Sequence, residues 1–307
     1  MPTPAHTFQT QILTARRGER IVFYGTPDVA VPTLEALAET NLRPIAVITE
    51  PDKPVGRQHR LTPLPIKRAA QRLGIAVSQP TTTAELMSIT QSLLPTLGIV
   101  VAYGRILKAE LLAIPTLGFV NLHFSLLPAY RGATPIQAAL LNGDVQTGVT
   151  LMQLDPGLDT GPILGFTPMI IEPTDTTGSL GTRLAATAAT LASELIPIYL
   201  AGSLQPQPQP TSSKPVTRRL NKDDGRIDWQ WPVERIERFI RAMDPWPRSW
   251  TEIEGLRIII HSAHLADGQL VIDRIQVAGG RIITSSEFAR GYPAGLTALV
   301  ATGKVTL

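Results

Sequence analysis

The stretch FVNLHFSLLP occupies residues 119–128. Its opening residues, 119–122, form a short apolar run of the kind that predicts a buried β-strand. Because side chains two residues apart on a strand point to the same face, Asn121 and His123 are predicted to project together. They would do so at the carboxyl end of the strand, which is the edge where open α/β sheets bind their ligands.

Around this strand, apolar runs alternate with segments of helical pattern. Strands are predicted at residues 21–24, 44–48, 75–77, 98–102, 119–122, 150–154 and 163–171, and helices at 29–39, 66–73, 84–93, 107–112, 135–141 and 179–200. Such alternation predicts βαβ units. The expected fold class is therefore α/β, with a Rossmann-like, mostly parallel sheet that is covered on both faces.

The composition divides the chain further. Residues 202–215 read GSLQPQPQPTSSKP, and their alternating Gln and Pro favour an extended linker. We therefore expect an N-terminal extension at 1–20, an α/β domain at 21–201, and a second domain at 216–307. In this last part a helix is predicted at 233–243 and strands at 251–260, 270–277 and 281–284, so the second domain is expected to be small and rich in β-structure.

Composition and charge exclude several classes of protein. The chain of 307 residues has no cysteine, which excludes disulfides, thiolate metal sites and cysteine nucleophiles. The apolar run at 97–103 is far shorter than a membrane span, and residues 1–20 lack the pattern of a secretory signal, so we expect a cytoplasmic protein with no membrane partner. The net charge of +3 resides wholly in residues 211–307. This surplus is compatible with a polyanionic partner and equally with ordinary surface variation.

Asn121 and His123 form the first candidate catalytic pair. An amide N–H can donate to a developing oxyanion while an imidazole moves a proton, so the pair suits acyl-type chemistry. A histidine at a strand end is also a common structural hydrogen-bonding group. The spacing of the two residues alone leaves both interpretations open.

Asp159 is the third candidate residue. It lies in DPGLDTG, residues 155–161, where glycines on both sides permit a tight turn close to a ligand. A carboxylate there could pair with His123 and raise the pKa of the imidazole. The alternative is a turn that merely caps a strand.

Taken together, these motifs resemble the family of formyltransferases that use 10-formyltetrahydrofolate, and within it the enzymes that act on methionyl-tRNA. The general resemblance is carried by three runs, namely GIVVAYG at 98–104, NLHFSLLPAYRGATPIQ at 121–137 and DPGLDTG at 155–161. The resemblance to the tRNA-specific enzymes is carried by FYGTPDVA at 23–30, PDKPVGRQHRLTPLPIK at 51–67, GRIDW at 225–229 and RAMDPWPRSW at 241–250.

The resemblance implies a reaction and a set of site residues. The formyl group of 10-formyltetrahydrofolate would be transferred to the α-amino group of methionyl-initiator tRNA by a monomer that uses no metal. Asn121, His123 and Asp159 would be the catalytic residues. The residues implied to bind the folate are Val101, Tyr103, Gly104, Ser125, Leu126, Leu127 and Pro128.

The resemblance also implies how tRNA would bind. The loop at 51–63 would enter the acceptor arm through Lys53, Arg57 and Arg60, although Gln58-His59-Arg60 stands where related enzymes carry more basic residues. The second domain would be a tRNA-binding barrel of the oligonucleotide-binding (OB) type. We expect that barrel to be incomplete, with residues 270–277 and 294–295 as remnants of its last strands.

Two other functions remain open at this stage. The same three catalytic residues could serve a formyltransferase that acts on another amine, such as an amino sugar-nucleotide. A tRNA-binding homologue that has lost catalysis is the third interpretation, and the presence of all three catalytic residues argues against it.

Overall fold

The computed structural model describes residues 18–55 and 60–306. In chain order its strands are β1 (Ile21–Gly25), β2 (Ala46–Ile48), β3 (Lys53–Val55), β4 (Arg60–Thr62), β5 (Ala76–Ser78), β6 (Leu97–Val101), β7 (Phe119–His123), β8 (Gln146–Gln153), β9 (Ile163–Ile170), β10 (Ser249–Ile253), β11 (Leu256–Ala266), β12 (Gln269–Val277), β13 (Ile283–Thr284) and β14 (Val305–Thr306). Its helices are α1 (Val31–Ala38), α2 (Pro65–Arg72), α3 (Thr83–Ser92), α4 (Ala109–Leu112), α5 (Pro135–Asn142), α6 (Thr177–Leu200), α7 (Val233–Ala242), α8 (Ser285–Gly291) and α9 (Pro293–Val300).

The larger sheet has seven strands in the order β5-β2-β1-β6-β7-β8-β9. The first five run parallel, and β8 and β9 add antiparallel. Alternate residues of β1 divide between two apolar layers, with Phe23 packed beside α1 and α6 and Tyr24 beside α3 and α4. The expected Rossmann-like sheet with two covered faces is therefore confirmed. Most of the predicted 1–20 extension lies outside the described residues.

A glycine in β6 sets the position of β7, the strand that carries the candidate catalytic pair. Gly98 is paired with Phe119, the first residue of β7. A methyl group on Gly98 would come within 2.2 Å of a ring atom of Phe119. The ring also meets Tyr24 edge to face, with ring centroids 5.1 Å apart. Because Gly98 has no side chain, the Phe119 ring can lie across the sheet. This allows β7 to keep its register with β6.

The loop predicted at 51–63 contains a two-stranded hairpin, β3–β4, separate from the large sheet. Asp52 secures its base, because its carboxylate accepts hydrogen bonds from Lys67 at 2.6 Å and from Gln79 at 3.0 Å. Lys53 is exposed. The two described strands of the hairpin therefore start from a fixed base.

The second domain is built on an open sheet. Strands β10 to β13 pair antiparallel in sequence order, and β14 joins β12 in parallel. Over the described part of the domain no pairing joins β10 to β13 or β14, so the barrel-like sheet stays open, as expected for a shortened barrel.

Two details of this domain differ from the sequence expectation. The single strand predicted at 251–260 is two strands, because Glu254 and Gly255 both adopt left-handed backbone and reverse the chain between β10 and β11. Residues 294–295, expected as a remnant of a strand, lie in α9. Pro293 occupies the first position of that helix, where a missing N–H costs nothing.

The two domains meet at the start of α6. Thr177 donates its hydroxyl to the carbonyl of Ala242 at 2.7 Å, and Arg241 donates to the carbonyl of Asp175 at 2.9 Å.

Among the described residues, no helix combines the length and the apolar character that a membrane crossing requires.

We predict that Gly98→Ala destabilises the protein. The added methyl group would overlap the Phe119 ring, and overpacking of this kind lowers the free energy of unfolding by about 1–3 kcal/mol. Denaturant unfolding followed by far-UV circular dichroism measures the change. Gly291→Ala is the matched control, because a methyl group there meets open space and the variant should be as stable as the wild type. Equal stability of the two variants would contradict this account of β7.

Candidate active site

Asn121 and His123 lie together at the carboxyl end of β7 and line a cavity of about 640 Å³. Both side chains are largely buried, with 8% and 5% of the residue surface exposed. Asp159 lines the same cavity from the 155–161 loop. The structure therefore brings together the three residues that the sequence picked out.

The imidazole of His123 is held on two sides. Its Nε2 donates to the backbone carbonyl of Tyr130 at 2.9 Å. Its Nδ1 faces the carboxylate of Asp159, with Nδ1 and Oδ2 separated by 3.7 Å. In the neutral ring the proton resides on Nε2, so Nδ1 is the atom that gains a proton when the ring becomes charged.

The carboxylate of Asp159 is fixed by a backbone amide. The N–H of Gly132 donates to Oδ2 at 2.8 Å. Gly132 has a φ of +104°, and a methyl group on it would come within 2.1 Å of the carbonyl oxygen of Thr217. Only glycine fits this position, which explains the Arg-Gly pair in the sequence.

Burial decides the direction in which the pKa of His123 moves. Loss of water disfavours the charged imidazolium and lowers the pKa below its ordinary value. The Asp159 carboxylate and the Tyr130 carbonyl oppose this shift without reversing it. The expectation was that Asp159 would raise the pKa, and it does act in that direction, but burial outweighs it.

The side-chain amide of Asn121 has a different environment. It makes no hydrogen bond to another residue in the described part of the chain. A largely buried polar group normally has a partner. An amide left free on a cavity wall is therefore available to donate to a ligand oxygen.

Tyr130, whose carbonyl accepts from His123, is fixed in place by polar contacts of its own side chain. The Tyr130 hydroxyl donates to Asp144 at 2.5 Å, and Lys214 donates to both groups at 2.8 Å. Tyr130 has a φ of +54°, a conformation that is costly for a bulky residue. The three side chains stabilise it in that conformation.

The residues implied to bind folate divide into two groups. Tyr103 and Gly104 line the cavity, and their contact with folate stays a prediction. Val101, Ser125, Leu126, Leu127 and Pro128 are not among the residues that line the cavity, and their contact with folate likewise stays a prediction. The turn at 125–128 instead folds onto β8, because the Thr150 hydroxyl donates to the Ser125 carbonyl at 2.7 Å and accepts from the Leu127 N–H at 3.1 Å. This turn shapes the path from His123 to Tyr130.

The three residues implied to bind tRNA are only partly described. Lys53 lies on the exposed hairpin, and the backbone of Arg60 belongs to β4. Arg57 lies outside the described residues. Their role in binding tRNA stays a prediction.

One wall of the cavity was not expected from the sequence. Residues 216–219, which follow the predicted linker, line it together with Arg105 and Ile106. Arg219 donates to the carbonyl of Gly104 and so closes the wall against the loop after β6. Nothing in the composition of 216–219 beyond two adjacent arginines indicated this contact, since it depends on how the chain returns across the domain.

A metal centre is not indicated by the described residues, which contain no cluster of three or more His, Asp or Glu side chains able to hold an ion. The charged side chains on the cavity wall are Arg105, Asp155, Asp159, Arg218 and Arg219. The site therefore offers an amide donor, a neutral imidazole, two carboxylates and three arginine cations.

Comparison with known proteins gives concordant results. Residues 19–196 match the family model for formyl transferases, and residues 219–269 match the model for the formyl transferase C-terminal domain. A curated relative, the methionyl-tRNA formyltransferase of Halorhodospira halophila, is 43% identical over 297 residues, covering 89% of this chain and 96% of the relative.

Two solved structures share the fold. The methionyl-tRNA formyltransferase from Clostridium thermocellum superposes with a TM-score of 0.59 at 18% identity, covering 85% of this chain and 100% of that one. An N-formyltransferase from Helicobacter canadensis, solved with folinic acid and dTDP-3-aminofucose, gives a TM-score of 0.63 at 22% identity, covering 87% of this chain and 98% of that one. At these identities the two structures support the fold alone.

We predict that His123 titrates below the ordinary histidine pKa of about 6.5, and that Asp159→Asn lowers its midpoint further. Removing the carboxylate removes the interaction that favours the imidazolium, while burial stays. NMR titration of ¹³C-labelled histidines measures both midpoints, with the signal assigned from His123→Gln.

Asp155→Asn is the matched control for this titration. Asp155 lies in the same loop, and its carboxylate is engaged by Gly157 and Thr160. That variant should leave the His123 midpoint close to the wild-type value. A wild-type midpoint above about 6.5 would mean that Asp159 outweighs burial.

Proposed function

The chain belongs to the formyl transferase family, and from this premise we propose that it transfers the formyl group of 10-formyltetrahydrofolate to the α-amino group of methionyl-initiator tRNA. The observation that carries the proposal is the 43% identity to a methionyl-tRNA formyltransferase over 89% of the chain. The site agrees with it, because Asn121, His123 and Asp159 meet on one cavity wall. The product serves translation initiation, so we place the reaction in the cytoplasm.

Residues of this chain account for each proton and charge of the transfer. As the amine attacks the formyl carbon, the free amide of Asn121 donates to the oxygen that becomes negative. His123 Nδ1 takes the proton that the amine loses, and Asp159 stabilises the imidazolium that results. His123 then returns this proton to the leaving folate nitrogen, N10, as its bond to the formyl carbon breaks. A lowered pKa suits this role, since His123 begins the cycle neutral and able to accept.

The cavity has a suitable size for the donor. Its volume of about 640 Å³ lies within the range of about 300–1,000 Å³ that is usual for small-molecule sites. Tyr103 and Gly104 would contact the pterin from the loop after β6. The donor supplies an activated formyl group, so the protein has only to hold both substrates and stabilise charge.

Cations on two parts of the chain would bind tRNA. Lys53, Arg57 and Arg60 belong to the hairpin region, and the basic surplus resides in residues 211–307. Contacts of this kind are made to phosphates, and they fix register and orientation. The binding free energy would then depend steeply on salt, because each neutralised phosphate releases counterions.

The two other functions considered are not favoured. A formyltransferase for an amino sugar-nucleotide would share the fold, as the Helicobacter canadensis structure does at 22% identity. The much higher identity to a tRNA enzyme argues for tRNA instead. A homologue without activity would have no need of a free amide beside a buried imidazole.

We predict that Asn121→Ala and His123→Ala each lower kcat/KM for formylation of methionyl-tRNA. Loss of an oxyanion donor costs about 2.7–4 kcal/mol of transition-state stabilisation, which is a fall of about 10²–10³-fold. The assay follows formyl transfer from 10-formyltetrahydrofolate to charged initiator tRNA, with a panel of amino sugar-nucleotides as alternative acceptors.

Two different outcomes of this assay would contradict the proposal. Formylation of a sugar and not of tRNA would refute the acceptor while leaving the catalytic residues in place. Near-normal activity of His123→Ala would refute the catalytic assignment. Asn142→Ala is the matched control for Asn121→Ala, since the Asn142 amide donates only within its own helix and the residue is absent from the cavity lining.

We also predict that the triple variant Lys53→Gln, Arg57→Gln, Arg60→Gln raises KM for tRNA and leaves KM for the folate unchanged. If three phosphates lose their contacts, the slope of log affinity against log salt should fall by about 2–3. Filter binding at several salt concentrations measures that slope.

Arg72→Gln provides the comparison for the hairpin variant. The Arg72→Gln substitution also removes a positive surface charge, but Arg72 lies on α2 and pairs with Glu35. An unchanged slope in the triple variant, or an equal change in Arg72→Gln, would count against the hairpin as a tRNA contact.

A further inference from the structure

We propose that Gln209, in the segment between the two domains, is a positioning residue that fixes the carboxylate of Asp159 against His123. Its catalytic consequence rests on the proposed function, whereas its geometric consequence does not. The interdomain segment, residues 202–215, was expected to be a plain linker. Its side chains instead reach both partners of the imidazole.

The amide of Gln209 makes four hydrogen bonds. Its Nε2 donates to the carbonyls of Asp159 at 2.9 Å and Gly161 at 2.7 Å. Its Oε1 accepts from Nε of Arg131 at 3.0 Å and from Nη2 at 2.8 Å. Both N–H groups and both lone pairs of the oxygen are thus engaged, and this sets the orientation of the amide.

These contacts bridge the two backbone segments that build the carboxylate site. Arg131 directly precedes Gly132, whose N–H donates to the Asp159 carboxylate. Asp159 and Gly161 belong to the loop that carries the carboxylate itself. One side chain therefore holds both the donor of the bond and its acceptor in place.

Asp159 needs an external support because of its backbone. Its φ is +51°, in the left-handed region that a residue with a Cβ adopts less readily than glycine. Such a conformation persists only where neighbouring groups determine it. The donation from Gln209 to the Asp159 carbonyl supplies one of these constraints, at the peptide that follows the strained residue.

The 3.7 Å between His123 Nδ1 and Asp159 Oδ2 makes the site sensitive to this support. A carboxylate that moves away by about 1 Å stabilises the imidazolium less, and misplacement of that size can lower a rate about 10²-fold. Gln209 does not line the cavity, so its replacement should leave substrate contacts intact.

The test compares three variants of the full chain. Gln209→Ala removes all four hydrogen bonds. Gln209→Glu keeps an acceptor for Arg131 but replaces the N–H donors by an oxygen that faces two carbonyls. Gln207→Ala is the matched control, because among the described residues the Gln207 side chain bonds only to the Gln205 carbonyl within the same segment.

The first measurement is the NMR titration of His123 without substrates. In Gln209→Ala the midpoint should fall toward that of Asp159→Asn, and in Gln207→Ala it should match the wild type. A purely structural role for Gln209 would lower the unfolding temperature and leave this midpoint unmoved. If Gln209→Ala is not folded, Gln209→Met keeps the length of the side chain and takes its place.

The second measurement is the kinetics of formyl transfer. Gln209→Ala and Gln209→Glu should both lower kcat by about 10–100-fold with KM for each substrate within about twofold of the wild type. In the background of Asp159→Asn, Gln209→Ala should cause little further loss, because both changes act on one carboxylate.

Two results would overturn the proposal. The first is a His123 midpoint equal to the wild-type value in Gln209→Ala. If Gln209→Ala does not fold, the same result in Gln209→Met counts instead. The other is full activity of Gln209→Glu, which would mean that only the Arg131 contact matters. If the wild-type protein transfers no formyl group, the proposed function fails, and the titration still decides whether Gln209 positions Asp159.

Discussion

The site depends on how the imidazole of His123 is held between a carbonyl and a carboxylate. The carbonyl belongs to Tyr130 and the carboxylate to Asp159, and both residues adopt left-handed backbone, which costs a residue with a Cβ more than it costs glycine. Two unfavourable conformations at the partners of one ring require surroundings that determine them. Three segments contact the ring through these two partners, namely the turn after β7, the 155–161 loop and the interdomain segment. Much of the local structure therefore fixes the position of one side chain.

Burial and charge act against each other on that ring, and the balance defines what it can do. An imidazolium removed from water is costly unless a carboxylate lies close. Asp159 lies at 3.7 Å, near enough to favour the charged form once it has arisen but too far to keep the ring charged at rest. In the mechanism that we propose, His123 is consequently a base that begins neutral and becomes a stabilised cation during the reaction.

The sequence was informative where local geometry decides the structure. Period-two spacing correctly placed Asn121 and His123 on one face of β7, and the glycines around Asp159 correctly indicated a tight turn, which lies on the cavity wall. It was uninformative where distant chain segments decide. The backbone of the turn at 125–128 is fixed by Thr150 of β8, and residues 294–295 become helical behind Pro293. The lowered pKa of His123 likewise depends on burial by several elements, which no single motif encodes.

The composition of the interdomain segment indicated a linker and gave no sign of the side-chain contacts that the segment makes. Alternating Gln and Pro favour an extended chain with few conformations to lose, so fixing it costs less entropy than fixing a flexible linker. A few side-chain contacts then suffice, and Gln209 and Lys214 each make several. The segment continues without interruption into residues 216–219, which form a wall of the cavity. The connection between the domains is therefore part of the candidate site, and a displacement of the second domain would shift both residues that hold His123.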